Sequence, residues 1–420
     1  MRRAILLPIF FVTYSLAYLD RANFGFGAAA GMARTLHITD SKLALLSALF
    51  FLGYFLFQVP GMYFARRVSA TRLVFISLIL WGTLAALTGV VHSFLALCGI
   101  RFVLGIAESI TFPAMLLLLT RWFPRSERSR ANSIMLLGNP VTVLWMSAIT
   151  GYLTQHLGWQ RTFIVEGLPA VLWSFVWIAT VRDSPTQARW LDPAQAAELE
   201  ANITQEVPGP ILAREASMTL KSALLQPDVL ILGAQYFCWS LGVYGFVLWL
   251  PAIIHQASAM SLTITGLLAA LPYLFGMIGE VVMGHVSDRT GKTESLVWPF
   301  LMLGGFAMMG SFLFVSVSFW LALACLVLAC GAMYAPYPPY FCIIPDRAPR
   351  QHTGEVFALV NSIGALGGFV GTYFVGLLRG FTHTDRAGEF LMALALICAS
   401  LLILALPKQR NAEVVCKPGR

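Results

Sequence analysis

Four ionisable side chains stand inside apolar runs: Asp20 and Arg21 in one, Arg101 and Glu108 in another. An arginine can hold a carboxylate by paired hydrogen bonds, and a neighbouring acid can trade a proton against that event. Each such charge costs on the order of 3 kcal/mol on a lipid-facing helix, so the four must face a polar interior or one another. At about 1.5 Å per helical residue, Glu108 falls near the midplane of a bilayer and Asp20 somewhat to its periplasmic side. Arg101 precedes Glu108 by seven residues, two turns on the same helix face, which gives it the depth of Asp20.

The two acid and arginine pairs form an internally neutral network when nothing is bound. A carboxylate substrate that takes Arg21 or Arg101 leaves an acid with excess negative charge in a poorly hydrated place, which favours proton uptake by Glu108 and Asp20. The competing structural role is that the four charges only pin the first helix to the fourth. Tyr18, Tyr54 and Gln58 occupy helix positions that reach the same cavity, and Asn361 supplies an amide from the far half of the chain. Asn139 is added by polarity; for it and Gln58 a helix-to-helix hydrogen bond is the alternative. Tyr244 belongs to an aromatic-rich run with Tyr236, Trp239 and Trp249. Tyr334, Tyr337 and Tyr340 lie among Pro336, Pro338 and Pro339, a density that breaks a helix and marks a cavity or gate.

The elements that position these groups are apolar spans. The chain has 420 residues, 58% hydrophobic and 11% charged, with a mean hydropathy of +0.75, outside the soluble globular range. Six apolar stretches run approximately over 4–31, 43–64, 73–91, 94–120, 131–153 and 162–181. Six more follow over 229–254, 262–282, 295–317, 320–344, 354–378 and 388–406. The expected fold is an all-α membrane protein of twelve transmembrane helices in two six-helix halves. The halves are residues 1–181 and 229–420, the latter with a short cytoplasmic tail, and a hydrophilic cytoplasmic linker spans 182–228. Asp20 and Arg21 interrupt the first run as an export signal would not, so it is expected to remain as helix one.

With the N-terminus inside, 21 Lys and Arg residues fall on the cytoplasmic side and five on the other, while Arg21 and Arg101 lie within helices and complete the total of 28. That bias places both termini in the cytoplasm, in a bacterial inner membrane. The basic residues sit in short loops and form no stripe, so the net charge of +8 reflects topology and no nucleic-acid partner is expected. The seven cysteines are odd in number and form no disulfide framework. The seven histidines lack metal-ligand spacing, so no metal and no cofactor is expected, the proton being the coupling ion. Glu166 and Glu280 lie nearer helix ends and are read as structural. Gly364, Gly367, Gly368 and Gly371 recur at helical spacing and allow close packing. One chain holds both halves of a pathway, which suits a functional monomer.

The loop after the eighth run reads Gly284-His285-Val286-Ser287-Asp288-Arg289-Thr290-Gly291-Lys292. It resembles the signature G-x-x-x-D-R-x-G-R/K of the major facilitator superfamily. The first copy, after the second run, departs from it, with Ala65 where the acid should stand. Within that superfamily the chain is similar to the anion:cation symporters that include galactonate-type sugar-acid/proton symporters. The matching pieces include Tyr18-Leu19-Asp20-Arg21-Ala22-Asn23, Gln58-Val59-Pro60-Gly61, Arg101 through Glu108, and Asn361-Ser362-Ile363-Gly364. The resemblance implies proton-carrying roles for Asp20 and Glu108, and substrate contact by Tyr54 and Asn361.

The function expected is proton-coupled import of a small organic anion, a sugar acid such as an aldonate or uronate, by alternating access. One proton with a monoanion is electroneutral, whereas a second proton also draws on the membrane potential at about 2.3 kcal/mol per 100 mV. A phosphate-ester exchanger needs paired arginines but no titrating acid. A drug/proton antiporter of the same fold usually carries G-x-x-x-G-P-x-x-G-G in helix five, from which Leu137-Gly138-Asn139-Pro140-Val141-Thr142 departs. No nucleophile, metal or phosphate-loop constellation supports an enzyme.

Overall fold

The computed structural model describes residues 2–205, 220–258, 260–291, 293–348, 352–382 and 386–407. All regular structure among them is helical. Eleven helices are long and apolar enough to cross a membrane. One of these, Gly138–Thr180, has twice the usual length and is broken at Gly158 (φ 78°, ψ 160°), a conformation that a side chain would strain. Gly151 packs on Gly266 before the break, Gln160 on Gly89 just after it, and Trp177 Nε1 donates to the Thr71 carbonyl at 2.9 Å farther on. The chain therefore reverses at Gly158, which turns eleven apolar helices into the twelve crossings expected.

The crossings are α1 (Arg2–Ala29), α2 (Asp40–Arg67), α3 (Ala70–Thr88), α4 (Phe94–Trp122), α5 (138–157) and α6 (159–180). The second six are α7 (Pro227–Ser258), α8 (Leu262–Thr290), α9 (Thr293–Phe314), α10 (Phe319–Arg347), α11 (Thr353–Thr382) and α12 (Arg386–Leu404). Ser69, Ser93 and Ser261 accept from backbone amides at the starts of α3, α4 and α8, satisfying donors that the first helical turn leaves free. Large apolar side chains such as Leu95, Leu172, Phe306 and Trp320 remain exposed, as a lipid-facing surface requires.

Two helices are interrupted at the depth of the charged cluster. In α4, Phe94–Ser109 and Thr111–Trp122 meet at Ile110, because Pro113 has no N–H to offer the Ser109 carbonyl. In α10, Phe319–Tyr334 and Tyr337–Arg347 meet at Ala335 and Pro336, since Pro338 and Pro339 withhold donors from Tyr334 and Ala335. The break expected from the proline density is there.

Glycines set the closest helix approaches. A Cβ on Gly105 of α4 would stand 1.9 Å from the Phe50 carbonyl, and one on Gly53 of α2 would stand 2.2 Å from the Phe102 carbonyl. In α11, a Cβ on Gly367 or Gly371 would meet the α7 backbone at 2.1 and 2.3 Å. Thus α2 presses on α4, and α11 on α7, without intervening side chains.

The two halves meet through α2 with α11, α5 with α8, and α1 with α7. Gly376 lies on Ala44, Gly151 on Gly266 and Gly25 on the Leu248 carbonyl, all toward the end opposite the termini. At the end bearing the termini, Arg2 and Arg3 pair with Glu127 of the connecting helix Arg125–Leu136. There Arg347 bonds Asp228 at 2.7 Å, Glu294, and the Pro407 carbonyl at 2.9 Å. Between these clasps a vestibule of about 590 Å³ separates the halves.

Candidate functional site

A central cavity lies between the halves, lined by α1, α2, α4 and the start of α5 on one side and by α7, α8, α10 and α11 on the other. Arg21 is its only lysine or arginine among the described residues. Its guanidinium lies between the rings of Tyr18, Phe50 and Tyr54, with centroids at 4.6, 5.1 and 5.0 Å, where each ring face attracts the cation. Arg21 Nη2 pairs with Glu108 Oε1, and Nη1 donates to the Tyr244 hydroxyl across the halves at 3.3 Å. The Arg21 side chain is 8% exposed and that of Glu108 1%, so the pair is held out of bulk water, where losing either partner is costly.

The polar lining continues around this pair. Tyr14 and Tyr18 share a hydrogen bond at 3.3 Å. Asn139 Oδ1 and Ser240 Oγ are buried at the cavity without hydrogen-bond partners among the described residues. Buried polar atoms in native proteins are nearly always satisfied, so these two are free to receive a guest. The space as it stands is about 40 Å³, room for one or two water molecules, and it joins the wider vestibule at Leu136, Glu280 and Phe341.

Of the residues singled out in the sequence, the structure brings Tyr18, Arg21, Tyr54, Glu108, Asn139, Tyr244 and Asn361 into one lining. Arg101 is not in it. It is 2% exposed, donates from Nε to the Leu46 carbonyl at 3.4 Å, and lies over the Phe24 and Phe50 rings at 4.7 and 5.3 Å. The Phe50 ring is thus within cation range of both arginines. Gln58 is buried outside the cavity, with Oε1 unpaired among the described residues. The Asp20 side chain lies outside the described residues. In the loop motif, Gly284 lines the vestibule, Arg289 is exposed in the last turn of α8, and Gly291 caps that helix with φ 64°. The Asp288 side chain and Lys292 lie outside the described residues.

Sequence reasoning missed Tyr14, Ser240 and Glu280. Glu280 was read as a structural charge near a helix end, yet it is buried ten residues inside the end of α8 and lines both cavity and vestibule. The signal was available, since an acid two to three turns inside an apolar span is a pathway residue by default.

Twelve crossings, two halves of six, and a buried ion pair in a polar cavity between them define a multi-pass membrane transporter. The chain belongs to the Major Facilitator Superfamily, which it matches over residues 10–372. It is 30% identical to a quinolone resistance transporter of Acinetobacter baumannii, over 94% of this chain and 92% of that one. It is 28% identical to a putative tartrate transporter of Agrobacterium vitis, over 97% and 91%. Its fold is similar to a crystal structure of a bacterial homologue of the human lysosomal transporter Spinster in an inward-facing, occupied conformation. The TM-score is 0.76, with 16% identity over 96% of each chain. The chain is a transporter and not an enzyme.

Proposed function

We propose that this chain is a proton-coupled symporter that imports a hydroxylated organic acid through the inner membrane by alternating access, with both termini cytoplasmic. One observation carries the reading: Arg21, the sole lysine or arginine lining the cavity among the described residues, is held by the buried carboxylate Glu108. An incoming carboxylate competes with Glu108 for the same guanidinium. Once displaced, Glu108 would be a buried charge without its counter-ion, and taking a proton removes that cost. Anion and proton thereby enter the site together. When both leave, Glu108 returns to Arg21 and the empty carrier is neutral at this point. Substrate hydroxyls are matched by the Tyr18, Tyr54 and Tyr244 hydroxyls, the Asn361 amide and the unfilled Asn139 Oδ1 and Ser240 Oγ. The seal between α1 and α7, α2 and α11, and α5 and α8 lies away from the termini, which with cytoplasmic termini supports an inward-releasing conformation.

A second reading is drug/proton antiport, favoured by the relative named for quinolone resistance and by the cavity's many aromatic rings. Uptake of radiolabelled tartrate into proteoliposomes, with the interior made alkaline, tests the choice. Gradient-driven accumulation supports symport. Tartrate exclusion together with proton-driven extrusion of a quinolone from the same vesicles would reverse it.

A further inference from the structure

Glu280 is a buried carboxyl that the exchange at Arg21 does not use. It is 6% exposed and stands where the central cavity opens into the vestibule, so an anion leaving Arg21 for the terminal end passes it. No hydrogen bond or ion pair joins it to a described residue. Its neighbours Gly276 and Gly279 pack on Tyr334, Gly331 and Ala335, at the break in α10. The stretch of α8 that carries Glu280 thus packs beside the interrupted part of α10.

Among the described residues, the charged and titratable groups around it are few. On the cavity side stand Arg21 and Glu108, which hold each other, with the tyrosines of α1, α2, α7 and α10. On the vestibule side stand Arg3 and Glu127, also paired, and His285 and Cys342. Among the described residues, no lysine or arginine in either lining is left over for Glu280. An ionised carboxylate there would repel any anion moving between cavity and vestibule, in surroundings that screen poorly.

Resting on the symport reading above, we propose that Glu280 is a second proton-binding carboxyl in the transport path, and that it must be protonated for the anion to pass to the terminal end. Protonated, it becomes a hydrogen-bond donor to the passing carboxylate instead of an opposing charge. The inference assigns the second half of the molecule a titrating group of its own, distinct from Asp20 and Glu108.

The test has two arms. Infrared titration of the purified protein reads protonated carboxyl groups directly, without any substrate. Wild type is expected to lose a protonated-acid carbonyl band as pH rises, and Glu280→Gln to lack that component while Glu280→Asp keeps it with a moved midpoint. The second arm is tartrate counterflow at equal pH on both sides. Above the midpoint the wild-type rate should fall by about tenfold per pH unit as the protonated form disappears. That limb should be absent from Glu280→Gln, present in Glu280→Asp and present in Glu108→Gln. Identical band amplitudes in wild type and Glu280→Gln, or superimposable alkaline limbs, overturn the proposal. A wild-type protein that moves no tartrate is a failure of the symport reading, and the infrared arm then decides alone whether Glu280 binds a proton.

Discussion

Replacing Arg21 with lysine keeps the positive charge beside Glu108 and removes what only a guanidinium provides. The planar group lies 4.6–5.1 Å from three ring centroids and uses separate nitrogens for Glu108 and Tyr244. An ammonium has no fork to offer a carboxylate in paired hydrogen bonds and is more strongly hydrated. One lost charge-assisted hydrogen bond is worth about 1.5–3 kcal/mol, and about 1.4 kcal/mol is a factor of ten. The expected KM for tartrate therefore rises by about tenfold to a hundredfold in Arg21→Lys. Arg101→Lys is the companion, because the sequence offered both arginines as anion ligands and only Arg21 reaches the cavity. Arg101 binds the Leu46 carbonyl and two rings instead, so its replacement should lower the melting temperature more than it changes KM. The assay is initial-rate uptake in proteoliposomes, with thermal unfolding in detergent for both variants. A KM within about twofold of wild type for Arg21→Lys, alongside a large rise for Arg101→Lys, would refute the reasoning.

Gly105→Ala inserts a methyl group 1.9 Å from the Phe50 carbonyl, so α2 and α4 must part. Overpacking of this kind costs about 1–3 kcal/mol or more, and a clear drop in melting temperature with loss of transport is expected; a full-rate variant would disprove the close approach. Glu127, outside the spans, has its carboxyl held below the usual value, first by the Arg3 hydrogen bond and then by the charges of Arg2 and Arg3. A depressed folded value means that its contribution is complete above the ordinary carboxylate range and is lost as pH falls through the folded value. Salt screens such a pairing, so its effect is expected to be small and to shrink further in high salt. Melting temperatures of wild type and Glu127→Gln should converge in acid and in high salt, and a gap unchanged by both would contradict the pairing.

The spans were legible because hydropathy reports which segments avoid water, and the reversal at Gly158 divides the one overlong helix where the polar break between the fifth and sixth apolar runs was read. The burial of Glu108 between the helices was legible too, since a charge inside an apolar run must face the interior. Direction around the axis was less so. Arg101 shares the face of Glu108 by its seven-residue spacing, yet it lies over the Phe24 and Phe50 rings and not in the cavity lining, and nothing in the α4 sequence announces a neighbour's side chain. Glu280 was placed by its nearness to the loop motif, and its burial inside α8 beside the cavity could not be read from that. The pairing of Arg21 with Glu108, across α1 and α4, could be framed only as one arrangement of a four-charge network, because partner choice depends on how the glycine contacts bring α4 toward the centre.

The exchange of Arg21 for a proton at Glu108 when the anion binds can be read from Glu108→Gln in proteoliposomes. The variant should lose proton-driven tartrate accumulation while keeping tartrate counterflow, since glutamine leaves Arg21 free for the anion but carries no proton. Accumulation that persists at the wild-type level under the same gradient would contradict the account and move the coupling elsewhere.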